Sequence, residues 1–202
     1  MSRKANAAGL EVSPFPSESE DEIYVAVGRA LTAWERLDTA LAMTFGSFVG
    51  TQHVVALRAL GRIESPAARL QVLLEAFQSS SPAVQRSLPS YEATVKSVMR
   101  LTEARNAVAH GQVQGIQITG RQKGFYLVPG LSASRKAAHP ARTNISAVLA
   151  ADSEAQIISH VFDYALNAGK VLAFAEEFDA LRAEVERWCL PSATMVFHAE
   201  KE

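Results

Sequence analysis

In the run Arg105-Asn106-Ala107-Val108-Ala109-His110-Gly111, a guanidinium, an amide and an imidazole stand together at the end of a long helix-forming segment. Arginine keeps its charge and presents a planar fork of donors that suits phosphate oxygens. Histidine exchanges protons near neutral pH, and the Asn106 amide is placed to orient either the imidazole or a bound phosphate. Together these residue types can carry out proton transfer beside a stabilised oxyanion. Gly111 follows at once and marks the helix end. On an ideal helix, residues five apart are turned by about 140° and separated by ~7.5 Å. Arg105 and His110 therefore do not share a face, whereas Asn106 and His110, four apart, do. Arg105 can reach the imidazole across the helix edge, through a distorted last turn, or from a second copy of the chain. The same three residues also suit plain capping of a helix C-terminus, where side chains bond free carbonyls.

This pattern (Arg, a polar residue, and His after four intervening positions, closing as Ala-His-Gly), together with Trp34-Glu35-Arg36-Leu37 on the first helix, resembles the HEPN superfamily of small helical domains. The similarity spans about residues 20 to 189, and these two runs are its specific part. It implies an all-α fold, an up-and-down bundle of four to five helices. It also implies homodimers in which two motif helices meet and line a shared cleft with their Arg and His residues. Many members of the family cut RNA without a metal, so the resemblance makes Arg105, His110 and Asn106 the catalytic set of a metal-independent endoribonuclease. No cofactor is then needed, and RNA and a second copy are the partners. The implied setting is a toxin or defence effector kept in check by an inhibitory, antitoxin-like protein. Some HEPN domains keep the shape and only bind RNA or another chain, which makes a non-catalytic RNA-binding or protein-interaction module the alternative.

Metal-free RNA cleavage needs a base for the 2′-hydroxyl proton, an acid for the leaving 5′-oxygen and positive charge on the phosphorane-like transition state. One dimer of the kind the resemblance implies would supply all three, and the expected products are a 2′,3′-cyclic phosphate and a 5′-hydroxyl. Glu35 lies beside the apolar stripe of the first helix. It is either a support that pairs with Arg105 across the bundle or a solvated surface acid.

Charge distribution adds a second line. The 20 Lys+Arg against 21 Asp+Glu give a formal charge of −1, which neither demands nor excludes a nucleic-acid partner. From Arg105 to Ala151, however, the chain has no Asp or Glu, while Arg121, Lys123, Arg135, Lys136 and Arg142 join Arg105 as positive charges. Those five are the expected RNA-binding residues, with Phe125 or Tyr126 placed to stack a base. The competing readings are solvated basic loops and aromatic rings packed onto the body.

The elements that must position these residues follow from periodicity. Residues 1–18 are small, polar and broken by Pro14 and Pro16, and read as a mobile tail ahead of a single domain over 19–190. Ser19 and the acidic run after it start a helix over about 20–48, with Ile23, Val27, Ala30, Leu31, Trp34, Leu37, Leu41 and Phe45 as its buried stripe. A shorter helix covers 51–61, with Val54, Val55, Leu57 and Leu60 as its apolar positions. Ser65-Pro66 opens another that runs to Ser79, and the next covers 83–110 with a break near Pro89. Its inward side is Tyr91, Val95, Val98, Met99 and Leu101. From about 112 to 128 the period changes to two, which predicts a β-hairpin turning at Gly120–Gly124. A basic loop over 129–151 leads to a last helix from about 153 to 189, capped by Asp152 or Ser153, ended by Pro191 and followed by a tail over 191–202.

Several function classes find no support. Cys189 is the single cysteine, so no intrachain disulfide or cysteine-based zinc cluster can form. His53, His139, His160 and His198 are scattered without ligand spacing, which argues against a metal site. No Walker loop, nucleophile elbow or dinucleotide fingerprint is present. The start of the chain lacks the apolar run of a signal peptide and no stretch reaches the ~20 apolar residues of a membrane span, so a cytoplasmic protein without membrane partners is expected.

Overall fold

The Ser19 Oγ accepts the Glu22 N–H at 3.3 Å, and Glu20, Asp21 and Glu22 place negative charge in the first turn, so the first helix begins where its sequence signal lies. The computed structural model describes residues 9–80, 82–118, 123–130, 147–149 and 164–196. Its elements run α1 (Glu20–Val49), α2 (His53–Gly61), α3 (Pro66–Gln78), the single turn α4 (Pro82–Gln85), α5 (Leu88–His110), β1 (Gly111–Ile118), β2 (Lys123–Pro129), β3 (Ala147–Leu149) and α6 (Ala168–Val196). The fold is a mostly helical bundle with a small antiparallel sheet inserted after α5, as the all-α expectation requires. No single described helix is long and apolar enough to cross a membrane.

Where the length predicts one domain, the chain packs as two compact units, Met1–Thr32 with Glu103–Glu176 and Ala33–Thr102 with Glu177–Glu202. The first unit gathers a core of its own around the sheet, whose strand order is β2-β1-β3. β1 and β2 pair antiparallel from Gly111↔Pro129 to Gln117↔Lys123, and β3 lies on the other edge of β1 with Ile116 opposite Leu149. β3 falls inside the stretch expected to be loop, because the open edge of β1 offers backbone groups that a short apolar segment can pair. Ile116, Tyr126, Val128 and Ala165 are buried together, with Val12 packed against them.

Part of the expected N-terminal tail is built into this unit. The Ser13 N–H donates to the Ala165 carbonyl at 2.8 Å, and Ser17 and Phe125 exchange backbone hydrogen bonds of 3.0 and 3.1 Å. Pro14 and Pro16 lack donors, but Ser13 and Ser17 around them do not, so the segment pairs at intervals rather than as a continuous strand. It also prepares the start of α6. The Ser17 Oγ accepts the Ala168 N–H at 2.8 Å, and the Asn167 Oδ1 caps the Lys170 N–H at 2.8 Å.

The last helix therefore begins later than its periodicity suggests. Tyr164–Asn167 is extended, and Leu166 exchanges backbone hydrogen bonds with Leu127 at 2.8 and 2.9 Å, which commits this segment to the sheet. Asp152, Ser153, Ile157 and Val161 lie outside the described residues. α6 also continues past Pro191 to Val196, where a tail was expected. Proline removes one donor and crowds the carbonyl four residues before it, which bends a helix without having to end it.

The second unit is helical and aromatic. Phe77 stacks on Tyr91 at 4.2 Å between ring centroids, and Phe48 and Trp188 meet that pair edge-on at 5.0 to 5.9 Å. Trp34 meets Phe178 edge-on at 5.2 Å. Such pairs add about 0.5 to 1.5 kcal/mol each beyond the area they bury. Arg69 pairs with Asp38 at 2.8 Å, and Arg100 with Glu177 at 3.1 Å. On α2 the buried positions are Ala56 and Leu60, whereas Val54, Val55 and Leu57 are exposed, and on α5 Met99 is exposed as well. Met99 was expected to face inward, and Val54, Val55 and Leu57 are apolar positions that the docking of α2 leaves outside. A nine-residue helix buries only the narrow stripe set by its own docking angle, which periodicity does not reveal.

Candidate functional site

The end of α5 is positioned by a stripe of small and branched residues. Leu101, Ala104, Ala107 and Val108 recur at three and four and are buried. That burial turns Asn106 and His110 outward together on one exposed face and leaves Arg105 half-buried at its border. α5 keeps α-helical geometry through His110, so no distorted last turn brings Arg105 round to the imidazole. Within one copy of the chain the two remain about 140° apart around the helix axis.

The Arg105 Nη1 donates to the Asn106 Oδ1 at 3.2 Å. Its Nε is buried and has no hydrogen-bond partner among the described residues. Nor do the ion pairs among the described residues include Arg105.

The backbone below this polar face is held firmly. The Tyr164 hydroxyl donates to the Ala107 carbonyl at 3.0 Å, and the Gly130 N–H donates to the His110 carbonyl at 3.2 Å. Both carbonyls belong to the last turn, which no intrahelical donor can satisfy. α5 passes directly into β1 at Gly111, and the reason for glycine there is space. A Cβ at Gly111 would stand 2.7 Å from the Leu127 Cγ and 2.8 Å from the Ala107 carbonyl oxygen. At Gly130 a Cβ would stand 2.5 Å from the His110 carbonyl oxygen. The helix thus ends against the sheet rather than at a left-handed glycine cap, since positive φ among the described glycines occurs at Gly9 and Gly50.

The other expected site residues are distributed as follows. Glu35 is exposed in the second unit and has no ion pair among the described residues. Lys123 is exposed at the start of β2, while Arg121, Arg135, Lys136 and Arg142 lie outside the described residues. Tyr126 is fully buried in the core of the sheet unit, so it is not available to stack a base. Phe125 is half-buried, with its ring against Gly115. Tyr164 and Gly130 went unrecognised in the sequence, because their role is a contact with carbonyls distant in the chain. Among the described residues, no group of three or more His, Cys, Asp or Glu is arranged to hold a metal ion.

No family model matches the chain, and neither a curated protein nor a solved structure is similar to it.

Proposed function

We propose that the chain is a metal-independent endoribonuclease acting as a homodimer, with the last turns of two α5 helices facing one cleft. The observation that supports this reading is the Arg105 guanidinium, without an ion pair among the described residues and bonded to Asn106, in the same last turns as the exposed His110, where Tyr164 and Gly130 hold the Ala107 and His110 carbonyls. The resemblance of the motif to HEPN ribonucleases supports it as well. A second copy is part of the reading because one straight helix keeps Arg105 and His110 on different faces, and a partner helix would bring the opposing groups together.

In the proposed reaction one His110 imidazole takes the 2′-hydroxyl proton as the 2′-oxygen bonds to phosphorus. The phosphorus–5′-oxygen bond breaks, and the imidazolium of the second copy's His110 returns a proton to the leaving oxygen. Arg105 neutralises charge gathering on the non-bridging oxygens, and Asn106 orients the phosphate or the guanidinium.

The test is incubation of the full chain and its His110→Ala variant with mixed RNA in EDTA, followed by analysis of the product ends. Cyclic-phosphate and 5′-hydroxyl ends made by the parent alone are expected. Equal cutting by both proteins overturns the role of His110. Retention of RNA on a gel with no cutting by either would make the chain a binding module instead.

A further inference from the structure

A cleft of about 190 Å³ opens within the second unit, between α1, α2, α3 and α5. Its walls differ sharply in character. The floor is apolar, formed by buried side chains including Trp34, Leu60, Leu73 and Val98. A pocket of this size holds a single ring or a short branched chain, since cavities of about 150 Å³ take up benzene.

The rim is polar and rich in acceptors. The Thr39 and Thr102 hydroxyls donate to the Glu35 and Val98 carbonyls at 2.9 and 3.1 Å, so each offers a ligand its oxygen lone pairs and no proton. Arg69 is engaged by Asp38 through Nη1 and by the Ile63 carbonyl through Nε, which neutralises the Asp38 charge. Glu35 lines the same cleft, and its carboxylate has no ion pair among the described residues. An apolar floor under an acceptor-rich rim of net negative charge selects for a ligand with a small apolar body and a protonated nitrogen.

We propose that this cleft is a binding site for a small organic cation, an apolar amine whose ammonium group sits at Glu35 and whose hydrocarbon part lies on Trp34 and Leu73. The site does not depend on the ribonuclease reading, because its residues and those of the α5 terminus are separate.

The test is calorimetric titration of the full chain with 2-phenylethylamine, its neutral counterpart 2-phenylethanol and the anion phenylacetate. Saturable binding of the amine is expected, at least tenfold tighter than the alcohol, with phenylacetate not bound. Glu35→Gln, at an exposed position that leaves the fold intact, should weaken the amine about tenfold and leave the alcohol unchanged. Failure of the amine to bind, equal binding of all three probes, or an unchanged amine affinity in Glu35→Gln would each overturn the proposal.

Discussion

The two ends of α5 are held by opposite means. At its N-terminal end Tyr91 is sealed among Phe48, Phe77 and Trp188, and the side chains themselves provide the cohesion. At its C-terminal end the backbone is fastened instead. Tyr164 and Gly130 take up the Ala107 and His110 carbonyls, and the polar side chains of the last turn project away from the core. A helix end that presents reactive groups, as the proposed function has it, cannot be anchored by those same groups. Fastening the carbonyls holds the backbone that carries the exposed His110 imidazole without using that side chain.

That contrast can be broken experimentally in several places. His110→Ala should lower RNA cleavage by about 10²–10⁴-fold, the usual contribution of a general acid or base, with no change in the denaturation midpoint because the imidazole is exposed. Loss of folding in this variant would mean that the side chain is structural after all. Phe77→Ala should do the reverse, costing about 3 to 5 kcal/mol in denaturant unfolding as a large buried ring is lost, while the cutting rate per folded molecule stays the same.

Gly130→Ala places a methyl group against the His110 carbonyl and should cost about 1 to 3 kcal/mol, the range for overpacking. It should also lower cleavage, because relief of the clash moves the last turn. The smallest effect belongs to Tyr164→Phe, which removes one hydrogen bond to Ala107 and should cost about 1 kcal/mol in the same unfolding measurement. Unaltered activity in both Gly130→Ala and Tyr164→Phe would show that fastening of the carbonyls is irrelevant to the site.

Much of this architecture was legible in local sequence signals. Ser19 with its acidic run, Ser65-Pro66 and the three-and-four spacing of Ala30, Trp34, Leu37 and Leu41 act within one or two turns of chain, and the helices they announce are present. The switch to a period of two after Gly111 announced the hairpin for the same reason. Partnerships between distant segments were not legible. Ser13 and Ser17 read as tail because nothing near them in sequence reveals Ala165 or Phe125 as partners. Tyr164 read as a helix face because its periodicity fits one, yet the sheet claims that segment first.

By itself the amino-acid order determined where most helices begin, that a hairpin follows α5, and that Arg105, Asn106 and His110 lie within two turns of one helix. These depend on interactions between near neighbours, whose energies are set by residue type. The tertiary structure decided which of those residues face outward, which carbonyls Tyr164 and Gly130 satisfy, why Gly111 and Gly130 must lack a side chain, and that Glu35 borders a cleft. Such outcomes depend on which distant segments come within about 4 Å of one another, the range over which packing and hydrogen bonding act.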